Sequence, residues 1–482
     1  MTKTYNITLI PGDGIGPEVT TAARRIIEAT GVSINWDVCE AGAEVFKKGQ
    51  ATGVPQATID SIMRNKVALK GPLETPIGFG EKSANVTLRK LFEAYGNIRP
   101  VREVPGIKTP FQGRNIDFVI VRENLEDLYA GIEHMQTPGV AQCLKIISRK
   151  GCEKIVRLAF EVARAEGRKT VHCATKANIM KLSEGLMKRT FEEIAKEYPD
   201  IQAEHIIVDN AAHQLVRRPE QFDVIVTTNM NGDILSDLGS GLIGGLGFAP
   251  GANIGDDYAI FEAVHGSAPK YAGKNTINPT AVVMSGVMML RHLGEFEAAN
   301  AIEQALFVTL DIDGIQTRDT FGNEGAASTS AFADAIIKNL GRKHSTCASR
   351  NYQRVKLPKV SKAPDLVKVT ARQVNGLDVF LESSVDFNTV GKTLETAVEG
   401  TLVCLKMISS RGVKLYPGSN PAVDVIDMLT ARFSVRETAY DLTDSDIADI
   451  MLRISKNNRW NHIEKLNMFD GKPGYTKAHG ED

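Results

Sequence analysis

The chain has 482 residues, with 57 Lys and Arg against 58 Asp and Glu and a formal net charge of −1. Hydrophobic residues make up 43% and charged residues 24%, close enough to globular averages to exclude disorder and collagen-like architectures. Near-neutral charge argues against a chain built to coat nucleic acid or an anionic membrane, and at roughly 100–200 residues per domain the length suggests several domains.

In chain order, residues 6–10 read as a strand and 17–29 as a helix, with Pro17 at its first position, Glu18 in its first turn and Gly31 just past its end. Between them Pro11-Gly12-Asp13-Gly14-Ile15-Gly16-Pro17-Glu18 stands where a dinucleotide fingerprint would, and Glu40 follows the next strand. That fingerprint needs a third glycine where Pro17 stands, so a tight strand-to-helix turn is the better reading and a Rossmann site is rejected. Further strands at 34–38, 67–69, 118–121, 171–173, 203–208 and 222–226 alternate with helical patterns such as 151–165 and 180–196. This alternation favours an open α/β sheet.

Residues 341–360 carry Arg342, Lys343, Arg350, Arg354, Lys356 and Lys359 with little periodicity and read as a linker. Beyond it a strand (377–381), a helix (388–398), two strands (402–408, 413–416), a helix (445–455) and a strand (460–463) make a small α+β domain. Six scattered cysteines without a C-x-x-C pair fit a reducing cytoplasm and no structural zinc. The N-terminal residues lack the apolar run of a signal peptide, and the run 241–250 is about half of what a bilayer requires. A soluble cytoplasmic protein is expected, with no membrane or nucleic-acid partner.

Four polar clusters concentrate the chemistry. Ser83-Ala84-Asn85-Val86-Thr87-Leu88-Arg89 opens a helix whose apolar stripe is Leu88, Leu91, Phe92 and Tyr95. Asn85 and Arg89, four apart, share a face, and with Ser83 they form a polar ledge; a Ser cap and a solvated Arg are the plainer reading. Arg122-Glu123-Asn124 ends a strand, where open α/β sheets place ligands. Together with Arg89 and Arg99, Arg122 suits a polycarboxylate, each charge-assisted bond being worth roughly 1.5–3 kcal/mol. In Asn229-Met230-Asn231-Gly232-Asp233-Ile234-Leu235-Ser236-Asp237, the two aspartates are one helical turn apart. Their repulsion raises a pKa unless a cation lies between them, and such hard oxygens suit Mg²⁺ or Mn²⁺; a solvated acidic face is the other reading. Finally, Glu262-Ala263-Val264-His265-Gly266-Ser267-Ala268-Pro269-Lys270-Tyr271 is a loop of small residues with exposed N–H groups and a positive charge, which fits a phosphate.

In this order the clusters resemble the isocitrate/isopropylmalate dehydrogenase family of metal-dependent, decarboxylating 2-hydroxy-acid dehydrogenases, over about residues 5–340. The specific motifs are 11–18, 122–124, 231–233 and 265–269. The C-terminal extension, with Lys406-Met407-Ile408-Ser409 and Phe469-Asp470-Gly471, resembles that of the longer bacterial, NADP-dependent isocitrate-oxidising members. The resemblance implies a large α/β domain (1–95 and 245–340), a small domain (96–130 and 149–244) and a dimer clasp (131–148). A linker (341–370) and a C-terminal α+β domain (371–482) follow.

It also implies that Ser83 and Asn85 hold the γ-carboxylate of isocitrate and that Arg89, Arg99 and Arg122 hold the rest of the substrate. Asp233 and Asp237 are implied as ligands of Mg²⁺ or Mn²⁺, completed by Asp209 of the neighbouring subunit. Tyr129 and Lys176 are the implied proton-handling pair, with Lys176 also reaching across the homodimer. Towards NADP, the implied contacts are His265 stacked on adenine, Asn278 bonded to it, and Lys270 and Tyr271 at the 2′-phosphate. Glu262, Gly266, Ser267 and Ala268 complete that loop. Arg318 stands where the family often has Tyr, a second cation for the same phosphate, and Glu74 where Thr is common near the nicotinamide.

The implied reaction is oxidative decarboxylation of isocitrate to 2-oxoglutarate and CO₂ with reduction of NADP, a step of the tricarboxylic acid cycle. Dehydrogenases of 3-isopropylmalate and homoisocitrate are the rivals, which need an apolar or longer pocket in place of Ser83 and Asn85. The C-terminal domain is expected to be structural or oligomer-modulating. RNA or effector binding is its alternative, prompted by the basic linker and Trp460 and opposed by Asp424, Asp427, Asp441, Asp444, Asp446 and Asp449.

Overall fold

Alternating apolar and polar runs give the strands, in chain order β1 (Tyr5–Ile10), β2 (Ile34–Val38), β3 (Val67–Lys70), β4 (Gly96–Arg102), β5 (Asp117–Glu123), β6 (Glu133–Thr137), β7 (Val140–Cys143), β8 (Thr170–Thr175) and β9 (Gln202–Ile207). There follow β10 (Val224–Thr227), β11 (Pro250–Ile254), β12 (Ala259–Ala263), β13 (Arg372–Glu382), β14 (Val403–Ser410), β15 (Val413–Tyr416), β16 (Met428–Val435), β17 (Arg459–Phe469) and β18 (Lys472–Pro473). The structure is a computed structural model that describes residues 3–74, 83–364, 367–418 and 422–481. It divides into two units, Met1–Ala130 with Lys145–Lys362, and Gly131–Leu144 with Ala363–Asp482.

The first unit holds a ten-stranded sheet of order β2-β1-β3-β12-β11-β4-β5-β10-β8-β9. Its two outer stretches are parallel, as the strand–helix alternation predicts. Its centre, β12-β11-β4-β5, is antiparallel. The sequence reading passed over β4, β11 and β12. The first two carry Gly, Asn and Pro, and their buried asparagines pair across the sheet instead of presenting an apolar pattern. Asn97 donates to Asn253 at 2.7 Å, and Asn124 donates to the same oxygen at 3.0 Å.

Helices cover both faces, among them Gly16–Glu28, Arg149–Ala165 and Thr280–Leu293. Pro17 sits in the first turn of Gly16–Glu28, and Ser148 caps Arg149–Ala165 by accepting from Gly151 N at 2.9 Å. The helix expected at 180–196 runs Ser183–Ile194 and tightens into a 3₁₀ turn.

The basic linker is not a free tether over its first part. Arg350 pairs with Asp117 and Glu166, and Gln353 N donates to Ala165 O at 2.9 Å. The Arg291 guanidinium lies 3.5 Å from the Tyr352 ring centre, and Val355 and Leu357 pack against the core. Apolar side chains between the charges are what seat it. Beneath this strap is a cavity of about 120 Å³ lined by residues such as Val162, Phe248, Met284 and Phe307.

The second unit is a six-stranded antiparallel sheet, β15-β14-β16-β13-β17-β18, with helices Phe387–Ala397 and Asp444–Ile454 in a β-α-β-β-β-α-β-β order. Leu377, Val379 and Leu381 of β13 face the helices with Leu394 and Ile450. The strand β16, absent from the sequence reading, alternates apolar Leu429, Ala431 and Phe433 with polar Thr430, Arg432 and Ser434, of which Arg432 is also buried. Arg432 pairs with Asp378 and Glu481, each at 2.6 Å. The rings of Phe380 and His462 stack 3.9 Å apart, and His462 Nδ1 lies 3.0 Å from Gln136 Oε1 of the β6–β7 hairpin. This aromatic pair is therefore engaged within the unit, whereas Trp460 is 41% exposed.

No helix among the described residues is long and apolar enough to cross a membrane. All six cysteines are free thiols.

Candidate active site

The glycine-rich turn after β1 is a packing device. Gly12 (φ +81°) and Gly14 (φ +57°) adopt left-handed backbone. A Cβ on Gly12 would lie 2.3 Å from Pro72 O, and one on Gly14 would lie 2.1 Å from Ser267 O. Three of the turn's N–H groups are engaged within the protein: Asp13 N donates to Pro72 O at 2.8 Å, Ile15 N to Ser267 O at 2.9 Å and Gly16 N to Asp13 O at 2.8 Å. The Asp13 carboxylate accepts from Ala43 N at 3.0 Å and Glu74 N at 2.7 Å. So the turn ties together the loops that follow β2, β3 and β12, in keeping with the rejection of a Rossmann site.

The antiparallel centre brings the arginines together. Arg99 on β4 and Arg122 on β5 reach the helix Asn229–Leu242, which follows β10, itself paired with β5. Arg99 donates to Asn97 at 2.8 Å, Ser236 at 2.5 Å and Asp233 at 3.1 Å. Arg122 donates through Nε and Nη2 to Asn229 Oδ1 at 3.1 and 2.8 Å, and through Nη1 to Asp233. Gly232 is required for this approach, since a Cβ there would fall 2.6 Å from Arg122 Cγ. Tyr129 Oη donates to the other Asp233 oxygen, and the Arg122 guanidinium lies 4.9 Å from its ring.

Burial alone would lift the Asp233 carboxyl, but Arg122, the Tyr129 hydroxyl, Arg99 and Arg89 together hold it below the usual range. Asp237, one turn on, is raised by burial and by the Asp233 charge, with Arg99 opposing from 3.9 Å. The Tyr129 hydroxyl is pushed up by burial and by Asp233, so it keeps its proton. Burial and the neighbouring Arg99 bring Arg122 down to about 10, which leaves it charged near neutrality.

Beside this cluster lies a cavity of about 460 Å³ lined by Glu74, Asn85, Arg89, Arg99, His265 and Ser267, among others. Ser83 takes the N-cap position of the helix Ala84–Leu91, but its side chain makes no cap bond, so the plain capping reading does not hold. Arg89 donates to Glu262 at 2.9 Å, while its buried Nε and the buried Asn85 Oδ1 have no partner among the described residues. Glu262 is itself buried. Lys70, Arg89 and Asn253 take up its carboxylate, and against the cost of burial the two cations drive its pKa far down.

On the expected cofactor side, His265 Nδ1 lies 3.1 Å from Gly266 O, and its buried Nε2 has no partner among the described residues. Burial lowers the pKa of the imidazole and keeps it neutral. Ser267 is buried, and Ala268 holds a left-handed backbone. Lys270 and Tyr271 are exposed on a 3₁₀ turn, with Lys274 Nζ 5.5 Å from the Tyr271 ring centre. Asn278 is buried, donating to Asp319 at 3.0 Å and accepting from Thr280 N at 3.0 Å. Arg318 is exposed at the start of the short helix Arg318–Phe321.

Lys176 pairs with Asp209 of the same chain at 2.6 Å, and this pair is largely open to solvent. The Lys176 bond holds the Asp209 carboxyl below its usual range. Among the described residues no three His, Cys, Asp or Glu side chains converge to hold a metal, so one chain does not bring Asp209 to Asp233 and Asp237. Those two carboxylates, hard oxygens on consecutive turns, fit Mg²⁺ or Mn²⁺ and not zinc. The unpaired His265 nitrogen, the small-residue loop and the cations Lys270 and Arg318 fit an adenine nucleotide that carries an extra phosphate.

Sequence reasoning missed Lys70, Asn97 and Asn253, which anchor the site from within strands, and quoted Asp13 in the glycine-rich motif without a role. It quoted Asn229 and Ser236 without giving them a role; their place in the third cluster was the available signal.

A family model described as isocitrate/isopropylmalate dehydrogenase matches residues 6–336, and one for the C-terminal domain of bacterial isocitrate dehydrogenase matches 372–481. The chain is 60% identical to a Thermus thermophilus protein named isocitrate dehydrogenase [NADP], over 99% of this chain and 96% of that one. A crystal structure of a protein from Thermus thermophilus, also 60% identical, superposes with a TM-score of 0.95 and covers 99% of this chain and 96% of its own. The structure of an isocitrate dehydrogenase from Methylococcus capsulatus, 49% identical, superposes with a TM-score of 0.67 over 70% of this chain and 99% of its own. By these matches, and by the arginine–aspartate centre that the fold assembles, the chain belongs to the isocitrate/isopropylmalate dehydrogenase family.

Proposed function

We infer that the protein catalyses the metal-dependent oxidative decarboxylation of isocitrate to 2-oxoglutarate and CO₂ with reduction of NADP. The observation that carries this reading is Asp233, gripped by Arg99, Arg122 and Tyr129 beside a cavity lined by Arg89 and Asn85, where the buried Arg89 Nε has no acceptor among the described residues. A tricarboxylate supplies an acceptor for Arg89 and further negative charge to answer Arg99 and Arg122. The Asn85 Nδ2 amide, which donates to Leu73 O at 3.4 Å, can donate to a γ-carboxylate but not to an apolar isopropyl tail, which favours isocitrate over 3-isopropylmalate.

When bound, NADP accepts a hydride from C2 and the divalent ion supplies Lewis-acid polarisation there. Arg89, Arg99 and Arg122 orient the carboxylates, with Ser83 and Asn85 on the γ-carboxylate. Lys176 and Asp209 of a second copy take the C2 hydroxyl proton. Cleavage of the bond to the departing carboxylate releases CO₂, and Tyr129 returns a proton to C3. Burial keeps Tyr129 protonated until that step, and the nearby Arg122 eases the charge it leaves behind. Lys270, Tyr271 and Arg318 answer the 2′-phosphate of NADP.

The functional unit in this reading is a homodimer with shared sites. The solvent-facing Lys176–Asp209 pair and the two-carboxylate metal set support it. Six free thiols fit a cytoplasmic setting.

The test is a spectrophotometric assay of isocitrate and 3-isopropylmalate with NADP⁺ and NAD⁺, each with and without EDTA. EDTA-sensitive NADPH formation from isocitrate is expected. Turnover of 3-isopropylmalate alone, or full activity in EDTA, refutes the reading.

A further inference from the structure

Behind the site lies an ion cluster that touches neither the cavity nor the expected cofactor loop. Asp127 and Glu184 are fully buried acids, and Lys145, 17% exposed at its side chain, stands between them. Its ammonium pairs with Asp127 Oδ1 and lies 2.9 Å from Glu184 Oε1. Each acid then reaches a different part of the site.

Asp127 Oδ1 accepts from Leu128 N at 2.8 Å, the first residue of the turn Leu128–Ala130 that carries Tyr129. Its Oδ2 accepts from Met230 N at 3.0 Å, in the first turn of the helix that bears Asp233 and Asp237. Asp127 has a left-handed backbone (φ +65°), uncommon for a residue with a Cβ. Glu184 Oε2 accepts from Lys176 N at 3.0 Å and Asn231 Nδ2 at 3.4 Å, and Oε1 accepts from Thr228 Oγ1 at 3.0 Å.

We propose that Asp127, Lys145 and Glu184 form a buried clip that sets the positions of Tyr129 and Lys176 against the start of the helix Asn229–Leu242. The proposal rests on the proton-handling roles given above to Tyr129 and Lys176. The clip holds two carboxylates with one ammonium, and the N-terminus of that helix, through Met230 N, meets the remaining negative charge. Because every acid oxygen has a named donor, neither the Tyr129 turn nor the Lys176 backbone can shift without breaking a charge-assisted bond. Misplacement of a reacting group by about 1 Å costs on the order of a hundredfold in rate. The three residues are positioning residues: they touch the groups that act, not the substrate.

The substrate arginines bond to Asn229, Ser236, Asn97 and Asp233, and none of them bonds to the three clip residues among the described contacts. Loss of the clip should therefore fall on kcat and spare KM. Glu184→Gln and Lys145→Met are each expected to lower kcat by about ten- to a hundredfold, with KM for isocitrate within about threefold of wild type. The double variant should be no slower than the slower single one, since the three residues act as a unit. A merely structural role would lower the thermal midpoint while leaving kcat of the folded enzyme at 25 °C unchanged, and that result overturns the proposal. So does a loss that appears in KM alone. If Glu184→Gln yields no soluble enzyme, Thr228→Val removes a single donor to Glu184 and should show the same kcat-selective loss at smaller size.

Tyr129→Phe and Lys176→Met, assayed alongside, separate the two claims. Wild-type kcat in those variants sinks the catalytic roles. A deep loss there with unchanged clip variants sinks the clip alone.

Discussion

Gly14→Ala isolates what the glycine-rich turn does. Its new Cβ would stand 2.1 Å from Ser267 O, so the two loops must separate by about 1 Å to reach van der Waals contact. That movement breaks the 2.9 Å bond from Ile15 N to Ser267 O, worth about 1 kcal/mol, and the left-handed backbone at φ +57° costs about 1–2 kcal/mol once a Cβ is present. Only the first part falls on the loop that carries His265 and Ser267. Assigned to cofactor binding, it raises KM for NADP by about fivefold to tenfold. KM for isocitrate should hold, because Arg99 and Arg122 are anchored on β4, β5 and the Asp233 helix. Gly31→Ala is the control: Gly31 has φ +81° but nothing within 4 Å of its would-be Cβ, so it bears the backbone cost without moving a loop. Initial-rate kinetics at 25 °C, with urea melts of both variants, decide the matter. If Gly14→Ala loses stability as Gly31→Ala does yet keeps a wild-type KM for NADP, the turn does not hold the cofactor loop.

Asp233→Asn removes the carboxylate shared by Arg99, Arg122 and Tyr129, and turnover should drop by roughly two orders of magnitude or more with weakened dependence on Mg²⁺; normal turnover at limiting Mg²⁺ counts against the assignment. Lys270→Asp with Tyr271→Ile should move the NADP/NAD ratio of kcat/KM at least about tenfold towards NAD, since an acid repels the 2′-phosphate; an unchanged ratio removes both residues from cofactor choice. Stability against pH should expose two buried groups of opposite sign. Burial depresses His292 to about 4, so its contribution is complete above its unfolded value near 6.5 and is lost as pH falls to 4, about 3 kcal/mol in all. Burial raises Glu123 to about 7, so its penalty is absent below pH 4.5 and grows by a similar amount as pH rises to 7. Urea unfolding at pH 7.5, 6 and 4.5 should show His292→Gln gaining on wild type towards acid and Glu123→Gln gaining towards neutrality; parallel curves would contradict both burial effects.

The outer, parallel parts of the large sheet were legible because their strands are short apolar runs separated by amphipathic helices. The central antiparallel strands were not, because their sequence serves the site. In β4, Asn97 and Arg99 replace the apolar residues that mark a buried strand, and Asn253 does so in β11. The same trade made the site itself readable, since polar residues at the ends and centre of a sheet stand out once a cluster is sought. What spacing could not convey is pairing. Asp233 and Asp237 look equivalent on paper, yet Arg122 and Tyr129 single out Asp233 while Asp237 is left more acid-retentive. Lys145, in the stretch read as a dimer clasp, gave no sign of the two buried acids that it joins, because both lie far from it in sequence or on another element.

The strap formed by Tyr352, Val355 and Leu357 bears on how this polypeptide can be shortened. The match to the family model stops at residue 336, which invites a stop codon near 345. Such a product would lose the cover over Met284, Phe307 and the Arg291–Glu303 pair, baring a greasy trough to water and inviting precipitation. A trimmed gene has to run through Lys362, whose carbonyl still receives a bond from Lys150 at 3.1 Å.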